Sequence, residues 1–112
     1  MKIYLDDERP APEGWVLVKT VPAFIDLMRS ARGRVEEVSL DHDLGEEGGG
    51  TGHDAVSWLE EQVLAYDYPA PRRVHVHTSN PSARPRMEAA AATIEAQARN
   101  RKNMVSCRRR DL

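Results

Sequence analysis

Short apolar runs alternate with amphipathic stretches along the chain, and the change of period marks out its elements. Ile3, Tyr4 and Leu5 carry a strand over 2–6 that runs into the acids Asp6-Asp7-Glu8. Residues 7–14 read as loop, because Pro10 and Pro12 withhold backbone donors and Gly14 favours a turn. A second strand is predicted over 15–20. From Val21 the period lengthens to that of a helix, with Phe24, Leu27, Met28 and Ala31 on one stripe that ends near Gly33. The third strand, 35–40, also runs into acid, at Asp41-His42-Asp43, and the glycine-dense stretch 45–52 reads as loop. Val56, Leu59 and Val63 define a helix over about 53–66, with Asp54 where a negative charge complements the helix dipole. Pro69 and Pro71 end it, and 73–77 form a fourth strand. An alanine-rich helix is predicted from Pro85 to Ala98, since a start at Pro81 would strand Pro85 one turn inside. Met104 to Cys107 reads as a short fifth strand. Strands alternating with helices over such connections imply parallel β-α-β units, in an open α/β sheet of four to five strands with helices on both faces.

In sheets of this kind ligands bind beyond the carboxyl ends of the strands, which is where this chain concentrates its acids. Carboxylates crowded into one site require a cation or a shared proton. Asp6, Asp7 and Asp41 are therefore the expected metal ligands, and an all-oxygen set suits Mg2+ or Mn2+. Two histidines at the same edge, His42 and His77, are placed to move a proton near neutral pH. His75, in mid-strand, is expected to be a hydrogen-bonded core residue, and His53 to open a helix at the surface. Thr78, Ser79 and Arg84 lie where the next helix begins, a place suited to phosphate. The glycine loop lacks the Gly-Lys-Ser/Thr ending of a P-loop, which excludes that class of NTPase. His77-Thr78-Ser79 matches one arm of a two-histidine phosphoesterase, but no second His-x-Ser/Thr element follows.

A chain of 112 residues, two fifths hydrophobic, has room for one core and no second domain. The expected division is a domain over 1–98 and a basic tail over 99–112. The net charge of −2 gives no overall attraction to nucleic acid, yet Arg99, Arg101, Lys102, Arg108, Arg109 and Arg110 face Asp111 alone in the tail, a candidate RNA contact. The lone Cys107 has no internal disulfide partner. No apolar run approaches the roughly 20 residues that span a bilayer, and no stretch reads as a signal peptide, so a cytoplasmic location without a membrane partner is expected.

Four blocks, IYLDDERPAPEGW at 3–15, VSLDHDLG at 38–45, GTGHDAVSWLE at 50–60 and VHVHTSNPSARPRM at 74–87, resemble the cyclic-phosphate processing receiver domains. The resemblance implies a receiver/flavodoxin-like fold and a role at a cyclic phosphate, on a nucleotide or an RNA end. It also implies that Asp6 and Asp7 form the metal-binding acid pair, that Asp41 corresponds to a receiver's phosphoacceptor, and that Thr78 or Ser79 is the hydroxyl residue. A receiver's lysine after its fifth strand has no clear counterpart here, since only Lys102 is available. The expected activity is metal-dependent hydrolysis or transfer, with Asp41 as nucleophile or ligand, His77 or His42 as proton donor and Arg84 on the phosphate. A non-catalytic switch that accepts phosphate on Asp41, or senses a nucleotide, is the alternative.

Overall fold

The structure, a computed structural model, describes the backbone of residues 1–45 and 49–110 and the side chains of 1–45 and 49–101. Its elements are β1 (Lys2–Leu5), β2 (Trp15–Val18), α1 (Val21–Ser30), β3 (Glu37–Leu40), α2 (Gly52–Ala65), β4 (Arg73–Val76) and α3 (Arg84–Arg110). The strands form one all-parallel sheet in the order β2-β1-β3-β4, the open receiver-like α/β architecture expected from the sequence.

The pairing is in register across all four strands, so the rows can be read directly. Lys2 pairs with Trp15 and Glu37, and Glu37 with Arg73. The next row is Ile3, Val16, Val38 and Val74, then Tyr4, Leu17, Ser39 and His75, then Leu5, Val18, Leu40 and Val76. Side chains alternate between faces along a strand, so the first and third rows share one face and the second and fourth share the other. The second and fourth rows supply the core: Ile3, Leu5, Val38 and Leu40 are fully buried with Phe24, Met28, Val56, Leu59, Met87 and Ile94 of the helices. Burial of each such side chain contributes about 1.5–3 kcal/mol.

All three helices pack on this one apolar face, and the expected placement of helices on both faces is corrected. Moving from β2 across β1 to β3, and on to β4, the chain steps twice in the same direction, and right-handed crossovers then fall on the same side. The step from β1 to β2 goes the other way, but residues 6–14 make it without a helix. The opposite face, with its polar and aromatic side chains, therefore carries no helix, although Glu37 and Ser39 on it are buried by their neighbours. His75, expected in the core, lies on that face with its side chain 48% exposed.

Helix starts follow local chemistry. Thr20, which the sequence reading places in the second strand, instead caps α1 by accepting from the Ala23 amide. Thr51 and Asp54 form a reciprocal capping box at α2. Asn80 Oδ1 accepts from the amides of Ser82 and Ala83 just ahead of α3, and Pro85 sits in the first turn, where its missing N–H costs nothing. The stretch 104–107, expected as a fifth strand, is helical and continues α3. Its neighbours are mostly strong helix formers, Ala, Glu, Gln, Arg and Lys, and Val105 is its only β-branched residue. Along β4, Glu95 of α3 accepts a hydrogen bond from the Val74 amide at 2.9 Å.

Candidate functional site

The register extends one row past the strands and builds the site. The amides of Asp6, Asp41 and His77 donate to the carbonyls of Val18, Leu5 and Leu40, each at 3.0 Å. Asp6, Asp41 and His77 are thus the residues two beyond Tyr4, Ser39 and His75, and share their parity toward the helix-free face. One ligand atom of each lies within 4.8 Å of the other two, and among the described residues this is the group arranged to hold a metal ion. Asp6 is fully buried and Asp41 nearly so.

Asp6 is held from several sides. Its Oδ1 accepts from the amides of Glu8 and Arg9, both at 2.9 Å, and Oδ2 accepts from His77 Nε2–H at 3.0 Å. Burial pushes the Asp6 carboxyl up, but the two amides and the imidazole outweigh it and hold the group below its ordinary value. The second nitrogen of His77, Nδ1, meets Ser39 Oγ at 2.8 Å. A carboxylate cannot donate, so Nε2 carries the proton in this contact, and in a neutral ring Nδ1 accepts from the Ser39 hydroxyl. His77 also stacks on Tyr4, with centroids 4.3 Å apart and planes 11° from parallel. Arg9 closes the site: its Nη1 donates to the His77 carbonyl at 3.0 Å and lies 3.8 Å from Asp6 Oδ2.

His42 is arranged differently. Its Nδ1–H donates to Asp43 Oδ1 at 2.9 Å, and Asn80 Nδ2 donates to the same oxygen at 3.3 Å. The imidazole holds the Asp43 carboxyl below its usual range. Among the described residues Nε2 of His42 has no hydrogen bond, which leaves it available for proton transfer. Its amide donates to Asp41 Oδ1 at 2.8 Å. Directly behind Asp41 lies the start of α2, where Gly52 N–H donates to the His42 carbonyl at 3.0 Å. The approach is so close that a Cβ on Gly52 would stand 1.7 Å from the Asp41 carbonyl oxygen.

The remaining expected residues divide. Asp7 has the opposite parity and stands outside the Asp6, Asp41 and His77 group: its Oδ2 accepts from the Gly45 amide at 2.8 Å, while Oδ1 is buried without a hydrogen-bond partner. Thr78 is buried, and its hydroxyl accepts from the Asn80 amide. Ser79 is exposed. Arg84 donates to Glu88 at 2.8 Å and to the Thr78 carbonyl at 3.2 Å, so a phosphate must compete with Glu88 for it. Ser39, Tyr4 and Arg9 were not foreseen as site residues. For Ser39 and Tyr4 the signal was present, since they sit two residues before the two acids on strands that pair in register.

A parallel sheet with acids gathered past its carboxyl ends defines a receiver-like α/β domain. The chain belongs to the family of cyclic-phosphate processing receiver domains, whose family model matches residues 1–93. Neither a curated protein nor a solved structure matches it. Among the described residues no helix is long and apolar enough to cross a membrane.

Proposed function

We propose that the domain hydrolyses a cyclic phosphate, such as a 2',3'-cyclic end of a nucleotide or RNA, with a divalent cation at its acidic edge. The family ties the domain to cyclic phosphate. The observation that carries the reading is the convergence of Asp6, Asp41 and His77 ligand atoms within 4.8 Å. Two buried carboxylates so close favour a cation, and the unpartnered Asp7 Oδ1 is the kind of orphan that an ion or ordered water satisfies. The donor set fits: Asp6 and Asp41 would hold the ion, and His77 would join them through Nε2 in its other tautomer, with Nδ1–H donating to Ser39 Oγ; an imidazole beside carboxylates suits Mn2+ better than Mg2+. When bound, the ion would neutralise charge on the phosphoryl oxygens.

The chain's own groups supply the rest. Water adds to phosphorus, one ribose P–O bond breaks, and a phosphomonoester results. His42, when it carries protons on both ring nitrogens with Nδ1–H held by Asp43, gives the departing oxygen its proton from Nε2, and the Asp41 carboxylate takes the proton that the water loses. Ser39 is a positioning residue that holds the His77 ring through Nδ1, and Arg9 and Arg84 supply positive charge for the phosphate. The test is turnover of 2',3'-cyclic nucleotides with Mn2+ or Mg2+, in the native protein and in Asp41→Asn. Turnover that Asp41→Asn abolishes supports the reading; no turnover of any cyclic phosphate refutes it. The match to a receiver family favours one other reading, a switch that accepts phosphate on Asp41. A long-lived acyl phosphate after incubation with acetyl phosphate would support the switch instead.

A further inference from the structure

The face that carries no helix is built of rings and cations, and it leads into the acidic edge. Trp15 meets Tyr4 edge to face at 6.1 Å and His75 at 6.1 Å, and Tyr4 stacks on His77. His77 thus belongs to both the aromatic surface and the acid cluster. At the far end of the same face, in the first row, stand Lys2 and Arg73. Glu37, the acid among them, is consumed: it accepts from His75 at 2.9 Å and Arg72 at 3.1 Å and pairs with Lys2 at 3.5 Å. Arg73 makes no ion pair among the described residues; it stands at the rim of β4, where with Arg72 and with Ala98 and Arg99 of α3 it lines a cleft of about 220 Å3 between strand and helix.

We infer that this face is a base-binding platform: the nucleobase of the terminal nucleotide stacks on the Trp15 ring, with Tyr4 standing edge-to-face beside it, while its phosphate enters the acid cluster, and the preceding phosphate of a single strand runs toward Arg73. The inference rests on the proposed cyclic-phosphate chemistry and names its substrate class, a single-stranded RNA end. Three observations favour it over a protein partner. The rings are continuous with the site through His77, and they stand on an open sheet, the arrangement that stacks unpaired bases elsewhere. Cations at the end remote from the acids match a phosphodiester backbone, which carries one charge per residue. A sheet face meant for a helix would instead present aliphatic residues, as the opposite face does.

Trp58 provides an internal control, because it packs between Phe24 and Tyr68 on the helix-covered side. Indole N–H resonances are followed by NMR while adenosine 3'-phosphate, a dinucleotide ending in a 3'-phosphate, or ribose 5-phosphate is added. Trp15→Phe assigns the signal and keeps a ring. The expected result is a saturable shift of Trp15 and not of Trp58, produced by the nucleotides and not by the baseless sugar, with the dinucleotide tighter. Trp15→Ala is expected to weaken nucleotide binding about 5- to 150-fold, with Trp15→Phe closer to native. The inference is overturned if nucleotide moves the Asp41 and His77 amides but leaves Trp15 unchanged, if Trp15→Ala binds as the native protein does, or if the Trp15 signal shifts with protein concentration alone, which places a second copy on this face. The two readings fail separately: stacking without turnover of cyclic phosphate refutes only the proposed reaction, and turnover with an unaltered KM in Trp15→Ala refutes only the platform.

Discussion

Replacing Gly52 by alanine tests how rigidly the start of α2 is bound to the acidic edge. The added Cβ would lie 1.7 Å from the Asp41 carbonyl oxygen, 2.7 Å from its carbon and 2.9 Å from His42 Cα, where ordinary contacts begin at 3.4 Å. Every obstructing atom is backbone, so no rotamer change relieves the clash, and either α2 or the end of β3 must move. Overpacking of this kind costs about 1–3 kcal/mol, and a backbone obstacle belongs at the upper end. Separation also weakens the Gly52 to His42 hydrogen bond, a further loss of about 0.5–1.5 kcal/mol. Against this, alanine restricts the unfolded chain, which returns about 0.4–1 kcal/mol. The net expectation is a loss of about 2–4 kcal/mol, or about 10–25 °C in Tm for a domain of this size. Urea unfolding followed by circular dichroism measures the loss, and the NMR shift of the Asp41 amide reports whether Asp41 has been displaced. Gly14→Ala is the comparison: its φ of +86° disfavours a side chain, but nothing lies within 4 Å, so strain alone should cost about 1–2 kcal/mol. A Gly52→Ala loss below 1 kcal/mol, or one no larger than that of Gly14→Ala, would refute the reasoning.

Other outcomes follow from the same geometry. The Asp6 carboxyl is depressed from its ordinary 3.8, so its stabilisation is present above about pH 4 and is lost as pH falls through the lower folded value. Asp6→Asn should flatten that acid limb in unfolding measured from pH 6 to pH 2; because Glu37 and Asp43 are also held low, part of the limb will remain. Ser39→Ala removes the hydroxyl that orients His77 and should change the ring's 15N tautomer signature in NMR while leaving the fold intact, whereas Ser39→Thr, which keeps a hydroxyl, should restore it. Tyr68→Phe deletes a buried hydroxyl that donates to the Met28 carbonyl at 2.6 Å, and a loss of about 1–2 kcal/mol is expected in urea unfolding.

The strands and their order of chemistry were legible because apolar runs stop at acids, and parallel pairing brings those stops into one row. Asp6, Asp41 and His77 could be placed at one edge for that reason. Asp7 was expected with them, but neighbouring residues in an extended chain point to opposite sides, and only the bend of residues 6–9 around the Asp6 carboxylate decides where its side chain goes. The sidedness of the helices was also hidden: an amphipathic stripe shows that a helix buries one face but not which side of the sheet receives it. His75 was misread for that reason, since a strand covered on one side makes its alternate residues surface. The fifth strand failed because a short mixed stretch with one valine does not resist an established helix reaching it from the N-terminal side. The tie between Arg84 and Glu88 was written plainly at a spacing of four, as a helix surface pair.

The Glu95 carboxylate, laid by α3 against the rim of β4, occupies an amide that would otherwise solicit a further strand. In a sheet that stops at four strands, this single acceptor interrupts the ladder through which molecules could zip together side by side. Removing it, as in Glu95→Ala, should convert a terminated sheet into one able to recruit its neighbours, with growth beginning at the rim rather than at the aromatic face.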